Sequence, residues 1–300
     1  MAARGGPVKT LRSGDSGPDV AALQDALNAH GAKPQLKADG SFGPATQSAV
    51  EAFQRASDLY DDGIAGPKTW AKIGLSTLDI EAVFFDGDRF EITKVPADIY
   101  GGGYGSHRLR ADIAEHYLKV YAEIKSSGAI LTSSGSLRAL SASVGRNRSA
   151  LSLHYVGRAL DLFVYSGMHK PLLDPYVITK DPQRGDRYWR VYARTNASAG
   201  KMITLKAWNH GRFAEELITD RFVDLTAILE ANGFKPIRAR KSYSRTNYGA
   251  AEWWHFQNEN GLVPHVTKFG DELLKLYTIK QLTDTPPFKS RDAVWQQDWF

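Results

Sequence analysis

The sequence predicts an α+β protein in two parts, a small three-helix unit followed by a larger mixed one. Three observations carry that prediction. A short pattern is written twice near the start, Asp39-Gly40-Ser41-Phe42-Gly43-Pro44-Ala45-Thr46 and Asp62-Gly63-Ile64-Ala65-Gly66-Pro67-Lys68-Thr69, offset by 23 residues. Downstream, apolar residues recur at helical spacing in some segments and at strand spacing in others. Two groups of metal-binding residue types lie far apart along that region, Ser152-x-His154-x-x-Gly157-x-Ala159-x-Asp161 and Glu252-Trp253-Trp254-His255.

The first helix is expected over residues 19–28, where Val20, Leu23, Ala26 and Leu27 share a face. Each repeat then opens a further helix. Asp-Gly makes a tight turn, the second Gly of the pattern is expected to adopt positive φ, Pro presets the first helical turn, and Thr is placed to satisfy free N–H groups there. Ala49, Val50 and Phe53 form the apolar face of the second helix. Residues 82–85 and 89–93 have strand composition around a Gly87-Asp88 turn, and Gly101-Gly102-Gly103-Tyr104-Gly105 interrupts regular structure before His107, which is expected to line the site. Residues 108–127 carry Ile113, Tyr117, Val120, Tyr121 and Ile124 at helical spacing and stop at Gly128. A strand is expected over 129–132, His154 and Asp161 on the next strand pair, and further strands over 187–194 and 202–208. An amphipathic helix over 217–232, ending at Gly233, precedes strands carrying the last basic run and residues 252–256.

Two imidazoles and one carboxylate make a three-ligand set for a catalytic zinc, with a second carboxylate, Glu252, three residues before the last ligand as general base. The spacings demand backbone irregularity. On a straight strand, residues seven or three apart point to opposite faces, so a bend is expected at Gly157 and a bulge or turn around Trp253. The chain has no cysteine, which excludes disulfides and thiolate metal sites and leaves His, Asp and Glu as the strong ligands.

The whole chain carries a net charge of +5. Residues 1–75 hold eight Lys or Arg and eight Asp or Glu, so the excess belongs to the remainder. It concentrates in Lys235, Arg238, Arg240, Lys241 and Arg245, a stretch without an acid. Tyr243 and Tyr248 near this run would suit phosphate tracking, but no nucleic-acid motif accompanies it, and attraction to an anionic cell wall is the preferred reading. No apolar run has the length of a membrane span, and the first 14 residues lack the apolar stretch of a signal peptide.

Two resemblances add to this reading. Leu11, Gly14, Gly17, Val20, Leu23, Gln24, Asp39, Gly40, Phe42, Gly43, Thr46, Ala49, Val50, Phe53 and Gln54 sit where the three-helix peptidoglycan-binding domain has its signature residues. The ordered S-x-H-x-x-G-x-A-x-D and E-x-W-H motifs resemble the D-alanyl-D-alanine carboxypeptidases, VanY-like zinc metallopeptidases of the hedgehog-type fold with a central antiparallel sheet, over residues 113–256. The second resemblance implies Zn2+ held by His154, Asp161 and His255, with Glu252 as catalytic base. It also implies that Arg138 holds a substrate carbonyl or carboxylate and stabilises the oxyanion. Here the arginine loop reads Ser-Gly-Ser-Leu-Arg rather than the family's more usual Ser-Gly-Tyr-Arg-Ser. Ser152 is the candidate for a substrate hydrogen bond.

The expected layout is a peptidoglycan-binding domain over 1–75, a linker over 76–106, a zinc peptidase domain over 107–280 and a tail over 281–300. The implied function is a peptidoglycan endopeptidase cutting stem peptides, with a D,D-carboxypeptidase or a non-catalytic wall-binding protein as alternatives. Peptidoglycan is the expected partner, with no nucleic acid and no membrane insertion, and the expected state is a monomer. Reaching the wall without a signal peptide implies phage lysis or a secretion machine.

Overall fold

The computed structural model of the chain describes residues 10–74, 89–142, 149, 151–196, 198–263, 267–278 and 281–282. It divides into two compact units: residues 1–89 with 139–152 and 262–300, and residues 90–138 with 153–261. The fold class is α+β, with helices and antiparallel sheets.

In the first unit, α1 (Pro18–Ala29), α2 (Pro44–Ala56) and α3 (Pro67–Ile73) each start at a proline that follows a glycine. Proline fits there because the first helical N–H needs no intrahelical partner. Leu11, Val20, Leu23, Leu27, Leu36, Phe42, Val50, Ala65 and Trp70 form the core between them. The repeat explains how the turns are held. Gln24 Nε2 donates to Asp39 Oδ1, the Ser41 carbonyl and Thr46 Oγ1 at 3.0–3.1 Å, while its Oε1 accepts from Gly40 N at 2.9 Å. Gln54 does the same one repeat later, reaching Asp62, Ile64 and Thr69 and accepting from Gly63 N at 3.0 Å. One expectation is corrected here. Positive φ falls on the first glycine of each pattern, Gly40 at 70° and Gly63 at 71°, because its N–H must turn back to the glutamine, while Gly43 is extended at −93°. Thr46 serves Gln24 and the Ser41 carbonyl, and Thr69 likewise bonds Gln54 and the Ile64 carbonyl.

The second unit opens with β1 (Ile92–Pro96) and β2 (Ser106–Arg110), paired antiparallel. The segment expected as a linker over 76–106 therefore ends in a strand, because Val95 is buried against the core that also takes Leu109. The strand expected over 82–85 and the turn at Gly87-Asp88 lie outside the described residues, as does the tail from 283 onward.

Helix α4 (Ala111–Ser126) follows directly and buries Ile113, Ala114, Tyr117, Val120 and Ile124 in one stripe. Each large side chain there stabilises the unit by roughly 1.5–3 kcal/mol, before chain entropy is subtracted. The strand expected over 129–132 is reduced to a single parallel bridge between Asp98 and Thr132, because Asp98 takes over Leu131 through both its backbone N–H and its carboxylate.

Two sheets complete this unit. One has the order β3 (Ala159–Asp161), β9 (His255–Asn258), β8 (Phe234–Pro236); the other has the order β4 (Tyr176–Lys180), β5 (Trp189–Arg194), β7 (Ala214–Asp224), β6 (Lys201–Asn209). The helix expected over 217–232 is strand in its first half and helix in its second. Residues 214–222 pair with 201–209 rung by rung, and Ile218 and Phe222, four apart, bury together against Val177 and Ala207. Helix α5 (Leu225–Ala231) begins only where the Asp224 carboxylate caps Ala227 N at 2.9 Å. The strands expected through the basic run are confined to Phe234–Pro236, and the rest of that run is loop.

The paired glutamines are the polar keystones of the first unit, and both are buried. Replacing Gln54 with Ala removes its bonds to four groups of the turn and should cost about 2–3 kcal/mol. Calorimetry of the variant checks this, and an unchanged melting profile would contradict the role.

Candidate metal centre

His154 lies in the turn that precedes β3 rather than on a strand. Gly157 closes that turn with φ 66°, and a Cβ there would stand 2.7 Å from Arg110 N, the group that donates to the Gly157 carbonyl at 3.0 Å. Only glycine permits both the left-handed backbone and that approach. Asp161 ends β3 and is the direct cross-strand partner of His255 in β9, so antiparallel register places their side chains together. At the other motif, Glu252 has φ 55° and its carbonyl accepts from His255 N at 3.1 Å. The bends that the spacings demanded thus fall at Gly157 and in a turn around Trp253 that opens at Glu252.

The three side chains converge. His154 Nε2 is 3.2 Å from Asp161 Oδ2 and 3.1 Å from His255 Nδ1, and His255 Nδ1 is 3.0 Å from Asp161 Oδ1. Each imidazole is oriented from behind: His154 Nδ1 faces the Ser136 carbonyl, and His255 Nε2 faces Gln257 Oε1 at 3.4 Å. With those outer nitrogens protonated, two nitrogen lone pairs and a carboxylate point at one spot, an arrangement that calls for a cation. The separations are close to the roughly 3.3 Å expected between ligands of a tetrahedral zinc with bonds of about 2 Å. The nitrogen and oxygen donors fit that ion.

Electrostatics agree. Burial alone would raise the Asp161 carboxyl, but the imidazoles of His154 and His255 hold it well below the usual carboxylate range. Burial disfavours the His255 imidazolium, yet the hydrogen bond and charge of Asp161 raise its pKa above the ordinary value. His107 is a different case. Burial pushes it down to about 4, its Nδ1 lies 3.2 Å from the Gly135 carbonyl, and its ring packs edge-on to Tyr117, so it braces the loop behind Asp161 as a neutral ring.

The remaining candidates are placed as follows. Glu252 is buried, and its Oε1 accepts from Arg240 Nε at 2.5 Å. Arg138 donates its backbone N–H to the His154 carbonyl at 3.0 Å, lays its guanidinium 5.3 Å from the centre of the Tyr155 ring, and keeps a buried Nη1 without a partner among the described residues. Ser152 is half-buried ahead of the turn and is not one of the clustered ligands. Sequence reasoning missed Ser136, Gln257 and Arg240. Strand alternation places Gln257 on the face of His255 and was a usable signal; nothing local marked Arg240.

A two-unit α+β chain with a cluster of two buried histidines and a half-buried aspartate, and an adjacent glutamate, is the class that fold and site define. Comparison with known proteins then gives it relatives: residues 16–73 match the family described as "Putative peptidoglycan binding domain", and the chain carries that domain. It is also a homologue of the zinc D-Ala-D-Ala carboxypeptidase of Streptomyces albus G, 35% identical over 156 residues, which are 51% of this chain and 60% of the relative. The chain spans between about half and three-fifths of the length of the curated relatives it matches. Among solved structures, a Burkholderia AP3 phage endolysin is 54% identical over 22% of this chain and 24% of its own, with a TM-score of 0.21. A fused Zn-dependent amidase/peptidase/peptidoglycan-binding domain-containing protein from Clostridium acetobutylicum is 18% identical over 65% of this chain and 66% of its own, with a TM-score of 0.21.

Purified protein is expected to hold one zinc per chain, and His154→Ala or His255→Ala to lose it, as read by elemental analysis. Proton and metal compete for His255 Nδ1, so retention should weaken as pH falls through the raised His255 pKa and recover above it. Retention independent of pH across the imidazole range would contradict this ligand assignment.

Proposed function

We propose that this chain is a zinc-dependent peptidoglycan peptidase in which residues 1–75 hold the wall and the second unit cuts stem peptides. The convergence of His154, Asp161 and His255, with Glu252 bonded through its backbone to the last ligand, carries the reading. The name of the Streptomyces albus G relative supports the zinc and the peptide substrate.

When bound, zinc supplies Lewis acidity and a water that ionises near pH 7. The residues do the rest. His154 and His255 are locked in orientation by Ser136 and Gln257, so the cluster needs little rearrangement to act. Glu252 accepts the proton of the attacking water and passes it to the leaving amine, a role typically contributing about 10² to 10⁴-fold. Arg138 offers its partnerless buried Nη1 to the carbonyl or terminal carboxylate of the substrate. Leu160, Leu162, Trp253 and Phe256 are buried around these groups, and such a low-dielectric setting strengthens each polar interaction.

Endopeptidase cleavage of cross-links, after phage lysis or delivery by a secretion machine, is the first form of this reading. Removal of a terminal D-Ala is the second, favoured by the relative's name and by an arginine donor suited to a carboxylate. Mass spectrometry of fragments released from purified peptidoglycan separates them: split cross-linked dimers indicate the first, free D-Ala the second. Release of neither, by zinc-loaded protein, would overturn the proposal.

Glu252→Gln should keep zinc and fold and lose at least about 10²-fold in turnover. Residues 1–75, being charge-balanced, should sediment with insoluble peptidoglycan and stay bound at high salt, without cutting it. Release of that fragment by modest salt would show that charge, rather than the folded surface, holds the wall.

A further inference from the structure

Arg240 was part of a run that looked like a solvated basic face, yet its guanidinium is tied to the buried base. Its Nε donates to Glu252 Oε1 at 2.5 Å, and the side chains are 36% and 9% exposed, so a half-exposed cation meets an almost buried carboxylate. The backbones are tied as well: Arg240 N donates to the Ala250 carbonyl at 2.9 Å. The first residue of β5 and the turn that leads into it brace both sides of this pair. Ala239 N donates to the Arg187 carbonyl at 2.8 Å, Arg187 Nη1 returns to the Ala239 carbonyl at 3.1 Å, and Trp189 Nε1 donates to the Ala251 carbonyl at 2.9 Å. The residues between the two metal motifs thereby hold the arginine and the segment leading into the glutamate at fixed separation.

We infer that Arg240 is a positioning residue for Glu252, gripping Oε1 so that Oε2 is presented for proton transfer, and that the inserted sheet exists in part to place that grip. The inference rests on Glu252 being the base proposed above. A carboxylate with left-handed backbone and a short tether to His255 has few ways to face the reacting water, and one fixed oxygen selects among its rotamers. The Nε–Oε1 contact is charge-assisted, which makes the grip strong and directional.

The test is a double-mutant cycle on zinc-loaded full-length protein, with cross-linked muropeptides as substrate and with zinc content and melting temperature read in parallel. Arg240→Ala should lower kcat about 10-fold or more with KM within about twofold, and Arg240→Lys should recover part of the loss. In a Glu252→Gln background the Arg240→Ala change should cost almost nothing further, because the group it positions is gone. Wild-type kcat in Arg240→Ala, a change confined to KM, or a full additional loss in the double variant would each overturn the inference. Wild-type turnover in Glu252→Gln alone would instead remove the base assignment, and that outcome is visible before Arg240 is touched.

Discussion

Asp161 and His255 face each other across a single antiparallel rung, and the second unit is organised around keeping that rung in register. A slip of one residue would send one ligand to the opposite face of the sheet and separate a carboxylate from the imidazole that it holds. The β3–β9 pairing is only three residues long, so it cannot defend its own register. Neighbours do it instead. Asp161 N and O are both bonded to the 134–135 segment, Leu162 N reaches the Trp254 carbonyl, and β8 covers the other edge of β9. Buried Leu160 and Phe256 fill the rung next to it. His154, the only ligand off the sheet, is brought in by the Gly157 turn and fixed through the carbonyls of Ser136 and its own residue.

Legibility in the sequence followed the range of the interaction. The candidate cluster of His154, Asp161 and His255 was readable because its residues are chemically distinctive and their spacings exclude a straight strand, which required bends at Gly157 and around Trp253. The repeat in the first unit was equally plain, although the reason for its glutamines needed coordinates: Gln24 and Gln54 act on turns 16 and 9 residues away. Residues 217–224 misled because Ile218, Phe222, Leu225 and Leu229 recur at intervals of four, three and four, which also suit a helix. What decided the outcome was the nine-rung pairing with β6, a long-range fact. Arg240 was invisible for the same reason. Its ion pair spans 12 positions and depends on a loop braced by the turn ahead of β5, which lies between the motifs.

The fold also changes the meaning of the basic run. The run contains no acid in sequence, but acids come to it in space. Lys235 pairs with Glu259 at 2.9 Å and Arg240 with Glu252, while Arg245 Nη2 donates to the Arg212 carbonyl at 2.9 Å. Two of the five cations thus stand beside carboxylates, so the positive field that the run presents to an anionic polymer is smaller than its own composition suggests. Wall affinity then falls mainly to the first unit.

Glu252 occupies backbone that a glycine would adopt without strain. A side-chain-bearing residue held at positive φ costs of order 1–3 kcal/mol, and the proposed base is one of four such residues among those described, with Asp58, Met168 and Phe213. Selection for stability alone would erase that carboxylate, since drift to glycine relaxes the chain. A related chain with glycine or asparagine at this position would, on that reading, have the relaxed backbone and lack the proposed base.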